Sequence, residues 1–256
     1  IMTMSTTAFA AENPAEVFDR VMEKNNTIQS AEIQSGVHSV ILAKDVIPDG
    51  QMKVDMAMHA EMDMQDTTDL KYLAQVASSI LGQDSYSQVF YTDGYYYVDA
   101  NGVKLKYPMP LEQIISSVQT GVNTSNMESS YMKGISLNEV NGKRVLAYEA
   151  NPKKLNKNVK EALGTVMNTL GTDINLDMNI QEMKGAYVLD DNDYIIYMTN
   201  YIVYNMEVLD QPMTCITLME TEVQNPGEPV VVTLPSTDGY EDLIGLYDGV
   251  IESEVE

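Results

Sequence analysis

From Met52 to Gln65 the chain alternates strictly between two kinds of position. Met52, Val54, Met56, Met58, Ala60, Met62 and Met64 fall on one side. Lys53, Asp55, Ala57, His59, Glu61, Asp63 and Gln65 fall on the other. Successive side chains of an extended backbone point to opposite faces, so this pattern predicts a long half-buried strand of ~40 Å. Residues 31–45 are its expected partner, with Pro48-Asp49-Gly50 as the turn between them.

Other stretches follow helical or strand spacing. Asn13-Pro14-Ala15-Glu16 combines a capping residue, a proline suited to the first helical position and an acid that reaches back to the cap. Val17, Phe18, Val21, Met22 and Ile28 then form one helical face. Residues 66–82 place Leu70, Leu73, Val76 or Ala77, and Ile80 at helical spacing, with Gly82 as a stop. Two hairpins are expected next, turning at Asp93-Gly94 and Asn101-Gly102, because these dipeptides tolerate the positive φ of a two-residue turn. Leu111, Ile114, Ile115 and Val118 suggest a short helix ending near Gly121.

The second half repeats the scheme. A hairpin is expected from Ile135 to Ala150 across Asn141-Gly142. Pro152 opens a helix with Leu155, Val159, Leu163, Val166 and Leu170 on its face. Ile174, Leu176, Met178 and Ile180 alternate as a strand. Residues 194–208 and 213–224 form a long hairpin across Asp210-Gln211-Pro212, and Val230 to Leu234 is the last expected strand. No Pro/Gly/Ser-rich linker divides the chain into separate folding units.

Composition narrows the function. The 256 residues are 44% hydrophobic and carry a net charge of −23 with only 15 basic residues. Such a surface repels phosphate backbones, which argues against nucleic acid as a partner. Cys215 is the only cysteine, so neither an intramolecular disulfide nor a cysteine zinc site can form. Residues 1–10 end in Ala8-Phe9-Ala10, the small-x-small pattern of a signal-peptidase site, and are read as a signal-peptide remnant. With no cysteine at that boundary, lipid anchoring through this chain is not expected. No apolar run reaches the ~18 residues of a membrane span. The expectation is a secreted, extracytoplasmic protein with one domain over residues 11–236 and an acidic tail over 237–256.

This order of elements resembles the lipoprotein carrier superfamily of LolA/LolB-like and LppX/LprG-like proteins. The residues carrying the resemblance are MKVDMAMHAEMDM at 52–64, VFYTDGYYYVDANGVKLKYPMPLEQ at 89–113, NPKKLNKNVKEAL at 151–163 and PGEPVVVTLP at 226–235. The likeness lies in element order rather than in a signature motif. It implies an α+β, mostly antiparallel β fold: a curved sheet, an open half-barrel, wrapped around a few helices. It also implies an apolar cavity that holds acyl chains in some members. The chain lacks the lipidation cysteine of the anchored relatives, and no functional residue of the superfamily is placed on it.

Candidate chemistry is sparse. There is no Gly-x-Ser-x-Gly, His-Glu-x-x-His or phosphate-cradling loop. The methionine stripe invites a soft-metal site, but His59 falls on the opposite face and same-face neighbours lie ~7 Å apart. Gly94 to Gly102 is similar to a single cell-wall-binding repeat, but it stands alone in a chain without tryptophan, and a tyrosine hairpin accounts for it. Asp190-Asp191-Asn192-Asp193 has hard oxygens for calcium but lacks EF-hand spacing and reads as a solvated turn.

The expected protein is therefore a non-enzymatic binder of a lipid or other hydrophobic ligand, without metal or cofactor. The expected cavity wall is Val54, Met56, Met58, Met62 and Met64 with Ile174, Leu176, Met178 and Ile180. The alternative is an envelope sensor or adhesion module that binds a protein partner and has a closed core.

Overall fold

A computed structural model describes residues 12–44, 47–66, 68–111, 127–157, 178–208 and 211–243. Its strands form one sheet made of two sequential meanders. The first comprises β1 (Ser30–Leu42), β2 (Gln51–Asp63), β3 (Lys71–Ile80), β4 (Gln83–Thr92), β5 (Tyr95–Ala100) and β6 (Val103–Pro108). The second comprises β7 (Met132–Val140), β8 (Lys143–Ala150), β9 (Met178–Leu189), β10 (Ile195–Val208) and β11 (Gln211–Gln224). β1 and β11 pair antiparallel and join the two meanders edge to edge. A two-residue strand β12 (Glu241–Asp242) adds parallel to β6. The result is an open, curved, antiparallel half-barrel with few helices.

Turn chemistry fixes the register. Asp93-Gly94, Asn101-Gly102 and Asn141-Gly142 all take positive φ, as a two-residue hairpin turn needs. Leu81-Gly82 does the same at φ 53° and 76°. That corrects the helix expected over residues 66–82, which contain β3 instead. Its apolar residues do not alternate because both faces carry them, one packed against the outer segment and the other lining the interior, so the strand loses its period of two. Leu73 packs outward with Phe90 and Val232, while Val76 faces inward.

Two further expectations are corrected. Val230 to Leu234 pairs with no described strand. Val232 and Tyr240 are buried on the outer face of the first meander with Leu73, Phe90 and Tyr97. The alternation there reports which side chains face the sheet, not backbone pairing, and Pro229 and Pro235 flank it. Gln211 and Pro212 lie inside β11, opposite Val208 and Glu207, not in the turn. The helix expected near 111–121 falls almost wholly outside the described residues, as does the one after Pro152 beyond residue 157.

α1 (Pro14–Asn25) forms as its sequence dictates, with the Asn13 side chain accepting from the Ala15 amide. Val17, Phe18, Val21 and Met22 are buried against Leu146, Tyr148, Tyr187 and Leu189 of the second meander. The turn between β9 and β10 clamps the helix. Asp193 accepts from Arg20 Nε at 2.7 Å and from an Arg144 terminal nitrogen at 2.6 Å. Asn25 Nδ2 donates to the Asp193 carbonyl at 3.0 Å, and Asn25 Oδ1 accepts from the Ile195 amide at 2.9 Å. The acidic tetrapeptide at 190–193 is thus an arginine-binding turn as well as a solvated one.

Burial raises the Asp193 carboxyl pKa, but the two arginines outweigh it and hold it below the ordinary value of 3.8. A depressed folded-state pKa stabilises the fold above the unfolded-state pKa, and that stabilisation is lost as pH falls through the folded-state value. Asp193→Asn should cost about 1–2 kcal/mol at pH 7, limited by the half-exposed Arg20. Denaturant titrations should show the gap between wild type and variant closing as the pH drops below 3.8.

Candidate functional site

Register carries the inner face from strand to strand. Met198, Thr221, Ser35, Met58 and Val76 form one row across β10, β11, β1, β2 and β3. A second row, two steps along the same face, runs Ala31, Met62, Tyr72, Tyr91, Tyr96 and Tyr107 from β1 to β6. These rows enclose a cavity of about 570 Å³, within the usual range of ligand sites. Ile33, Val37, Met219 and Val223 complete the β1–β11 part of the wall, and Met22, Asn25, Asn26 and Ile28 close it from the end of α1.

The expected wall residues separate. Met56, Met58 and Met62 line the cavity. Met64 is buried beside it, packed with Ala31, Leu70, Tyr91 and Val223. Val54 shares the face but sits beyond the lining, opposite Ser39 and Ile80. Ile180 is buried in the α1 core and Met178 is half-buried at the start of β9, and neither lines the cavity. Ile174 and Leu176 lie outside the described residues. The methionine wall runs from interior to solvent: Met62 is 1% exposed and Met56 is 39% exposed.

Sequence reasoning missed the rest of the wall. Tyr72 was hidden in the stretch with helical spacing. Tyr96 and Tyr107 were legible in principle, because two-residue turns at 93–94 and 101–102 place them opposite Tyr91 and each other. Met198, Met219 and Thr221 required the β1–β11 pairing, which no local pattern announces.

Among the described residues, every lining side chain is aliphatic, thioether, phenol, amide or hydroxyl, and none is charged. The charges lie on the other face of the same strands. His59 bonds Glu32 at 3.0 Å and His38 bonds Asp55 at 2.7 Å, both outside. Burial pushes the Tyr96 phenol up to about 12, with Tyr72 and Tyr107 adding to the effect. Burial raises Tyr72 and Tyr107 as well, so these wall phenols stay neutral at physiological pH.

The second meander has its own polar device. Tyr148 and Asn200 lie in one row on either side of Gly185, and the Tyr148 hydroxyl donates to Asn200 Oδ1 across it. A Cβ at Gly185 would lie 2.5 Å from Asn200 Oδ1, 2.5 Å from the Thr199 carbonyl and 2.9 Å from the Tyr148 ring. Only glycine lets the tyrosine cross the strand. Burial drives the Tyr148 phenol far above its ordinary value.

Fold and cavity together define an open antiparallel half-barrel with an uncharged, apolar interior. The chain matches a family of unknown function, DUF6612, over residues 13–235, and it belongs to that family. No curated protein matches it significantly. Similar solved structures include the LprF protein of Mycobacterium bovis, at 10% identity and a TM-score of 0.36, covering 87% of this chain and 97% of that one. The lipoprotein LppX of Mycobacterium tuberculosis aligns at 10% identity and a TM-score of 0.36, over 87% of this chain and 100% of the other. A β-barrel-like protein of Brucella abortus, from the domain of unknown function DUF1849, aligns at 12% identity and a TM-score of 0.22, over 76% and 98%. No helix among the described residues is long and apolar enough to cross a membrane.

Gly185→Ala should force Tyr148 or Asn200 aside and cost about 1–3 kcal/mol, the usual penalty of overpacking. Thermal unfolding measures the loss, and near-UV circular dichroism should show weakened tyrosine signals.

Proposed function

We propose that this protein is a non-catalytic, extracytoplasmic binder of a lipid or acylated molecule, which it holds in the cavity between the curved sheet and α1. The observation that carries this reading is the uncharged, apolar wall inside a chain of net charge −23. An acyl chain entering it leaves water at a gain of about 0.8 kcal/mol per buried methylene. Thioethers suit the task, because unbranched methionines repack around variable apolar shapes. The graded exposure from Met62 to Met56 provides a way in. Export is supported by Ala8-Phe9-Ala10, the pattern a signal peptidase accepts. The two histidines lie on the outer face, away from anything held inside.

Two measurements test this. Organic extracts of purified protein should contain a bound lipid by mass spectrometry, and an environment-sensitive apolar fluorophore should bind with micromolar or better affinity. Met58→Lys, which sets an ammonium on the inner wall, should weaken fluorophore binding about tenfold or more. Ala57→Lys, one residue along on the outer face, should leave it unchanged. Lipid-free extracts together with equal effects of the two lysines would contradict cavity binding and favour a closed-core protein-binding module.

A further inference from the structure

Two polar side chains of β10 and β11 are buried on the inner face: Thr221, which lines the cavity and is paired with Ser35, and Asn200, which stands just behind the lining. Asn200 is 5% exposed. It pairs with Met219 across β10 and β11 and lies two residues from Met198 on the same strand face. Both methionines line the cavity, as does Tyr187. The Asn200 side-chain oxygen is already engaged by the Tyr148 hydroxyl, which orients the amide. Its nitrogen therefore faces Met198, whose Sδ lies 3.8 Å from Nδ2. A thioether is a weak acceptor, and no other acceptor among the described residues meets this nitrogen. A buried amide donor left in that condition is costly, so such groups are nearly always paired.

We propose that Asn200 is the polar anchor of the cavity: as the unbranched Met198 side chain gives way, its Nδ2 donates to the carbonyl oxygen of an acyl ester while the chain lies along the methionine wall. The inference rests on the lipid-binding function proposed above. Tyr148 acts as a positioning residue, turning the amide so that a donor, not an acceptor, meets the ligand. The hydroxyls of Ser35 and Thr221, 2.7 Å apart in the row of Met198, extend the same polar patch. An ester fits better than a free carboxylate. The described wall offers no cation, and burying an unpaired carboxylate costs far more than burying a neutral carbonyl.

The test is displacement of N-phenyl-1-naphthylamine from the full chain by dioctanoylglycerol and by its dialkyl ether analogue, which has the same chains and headgroup but no carbonyl. Wild type should prefer the ester by about 5- to 30-fold, the value of satisfying one buried donor. Asn200→Leu should bring the ratio close to one, and Tyr148→Phe, which frees the amide to rotate, should lower it. The ratio within each variant is read against that variant's own probe affinity, so loss of stability does not mimic the result. Equal competition by ester and ether in wild type overturns the anchor but leaves the cavity function standing, as does an ester preference that survives in Asn200→Leu. Failure of both lipids to displace the probe overturns the cavity function itself.

Discussion

The whole molecule depends on one ladder, the antiparallel pairing of β1 with β11. Each meander is locally encoded, strand beside strand through short turns, and each alone would leave an open edge. Pairing Val37 with Met219 and Ser35 with Thr221 closes the two edges into one sheet and sets which residues face each other across the interior. A slip of one residue in this ladder would set the inner face of one meander against the outer face of the other, so that the methionines of β2 and those of β10 and β11 no longer shared one interior. The Ser35–Thr221 and Ser39–Thr217 hydroxyl pairs, at 2.7 and 2.9 Å, bridge this ladder on the inner face and hold its register.

Given that ladder, the cavity follows from incomplete cover. α1 fills the concave face of the second meander, where Phe18 packs edge-on to Tyr148 with ring centroids 5.7 Å apart. The segment 230–243 covers the convex face of the first meander, where Phe90 and Tyr97 stack at 4.6 Å beneath Tyr240. The inner face from β10 to β6 is left without described helix cover beyond the end of α1. Its apolar residues are the same kind that fill a core elsewhere in the molecule, here lining a space. Methionine and tyrosine dominate there, and both leave gaps that an extended hydrocarbon can fill.

Local chemistry was legible and long-range pairing was not. Asn13-Pro14 announced α1, and Asp93-Gly94, Asn101-Gly102 and Asn141-Gly142 announced their hairpins, because each signal sits within a few residues of its effect. The Met52–Met64 stripe was read correctly as a strand, because one of its faces meets the interior and the other meets solvent. β3 was misread because it carries apolar residues on both faces, so Leu73 and Val76 look like one helical face while pointing in opposite directions. Val230 to Leu234 was misread for the converse reason: it alternates because it lies on a sheet, although its backbone joins no ladder among the described residues. Alternation alone placed Met56, Met58 and Met62 on the inner face of β2, where they line the cavity. Tyr187, Met198 and Met219 were invisible because they reach the cavity only through a pairing that spans nearly the whole chain.

The central claim is that the inner methionines surround a ligand space. It is tested most directly by labelling the 18 methionines with ¹³C-methyl groups and titrating a short-chain diacylglycerol by NMR. Met56, Met58, Met62, Met198 and Met219 should shift or broaden together at one saturable affinity, while Met127, buried in the α1 core, stays in place. Shifts confined to methionines away from the cavity, or no saturable shift among those five, would contradict the account.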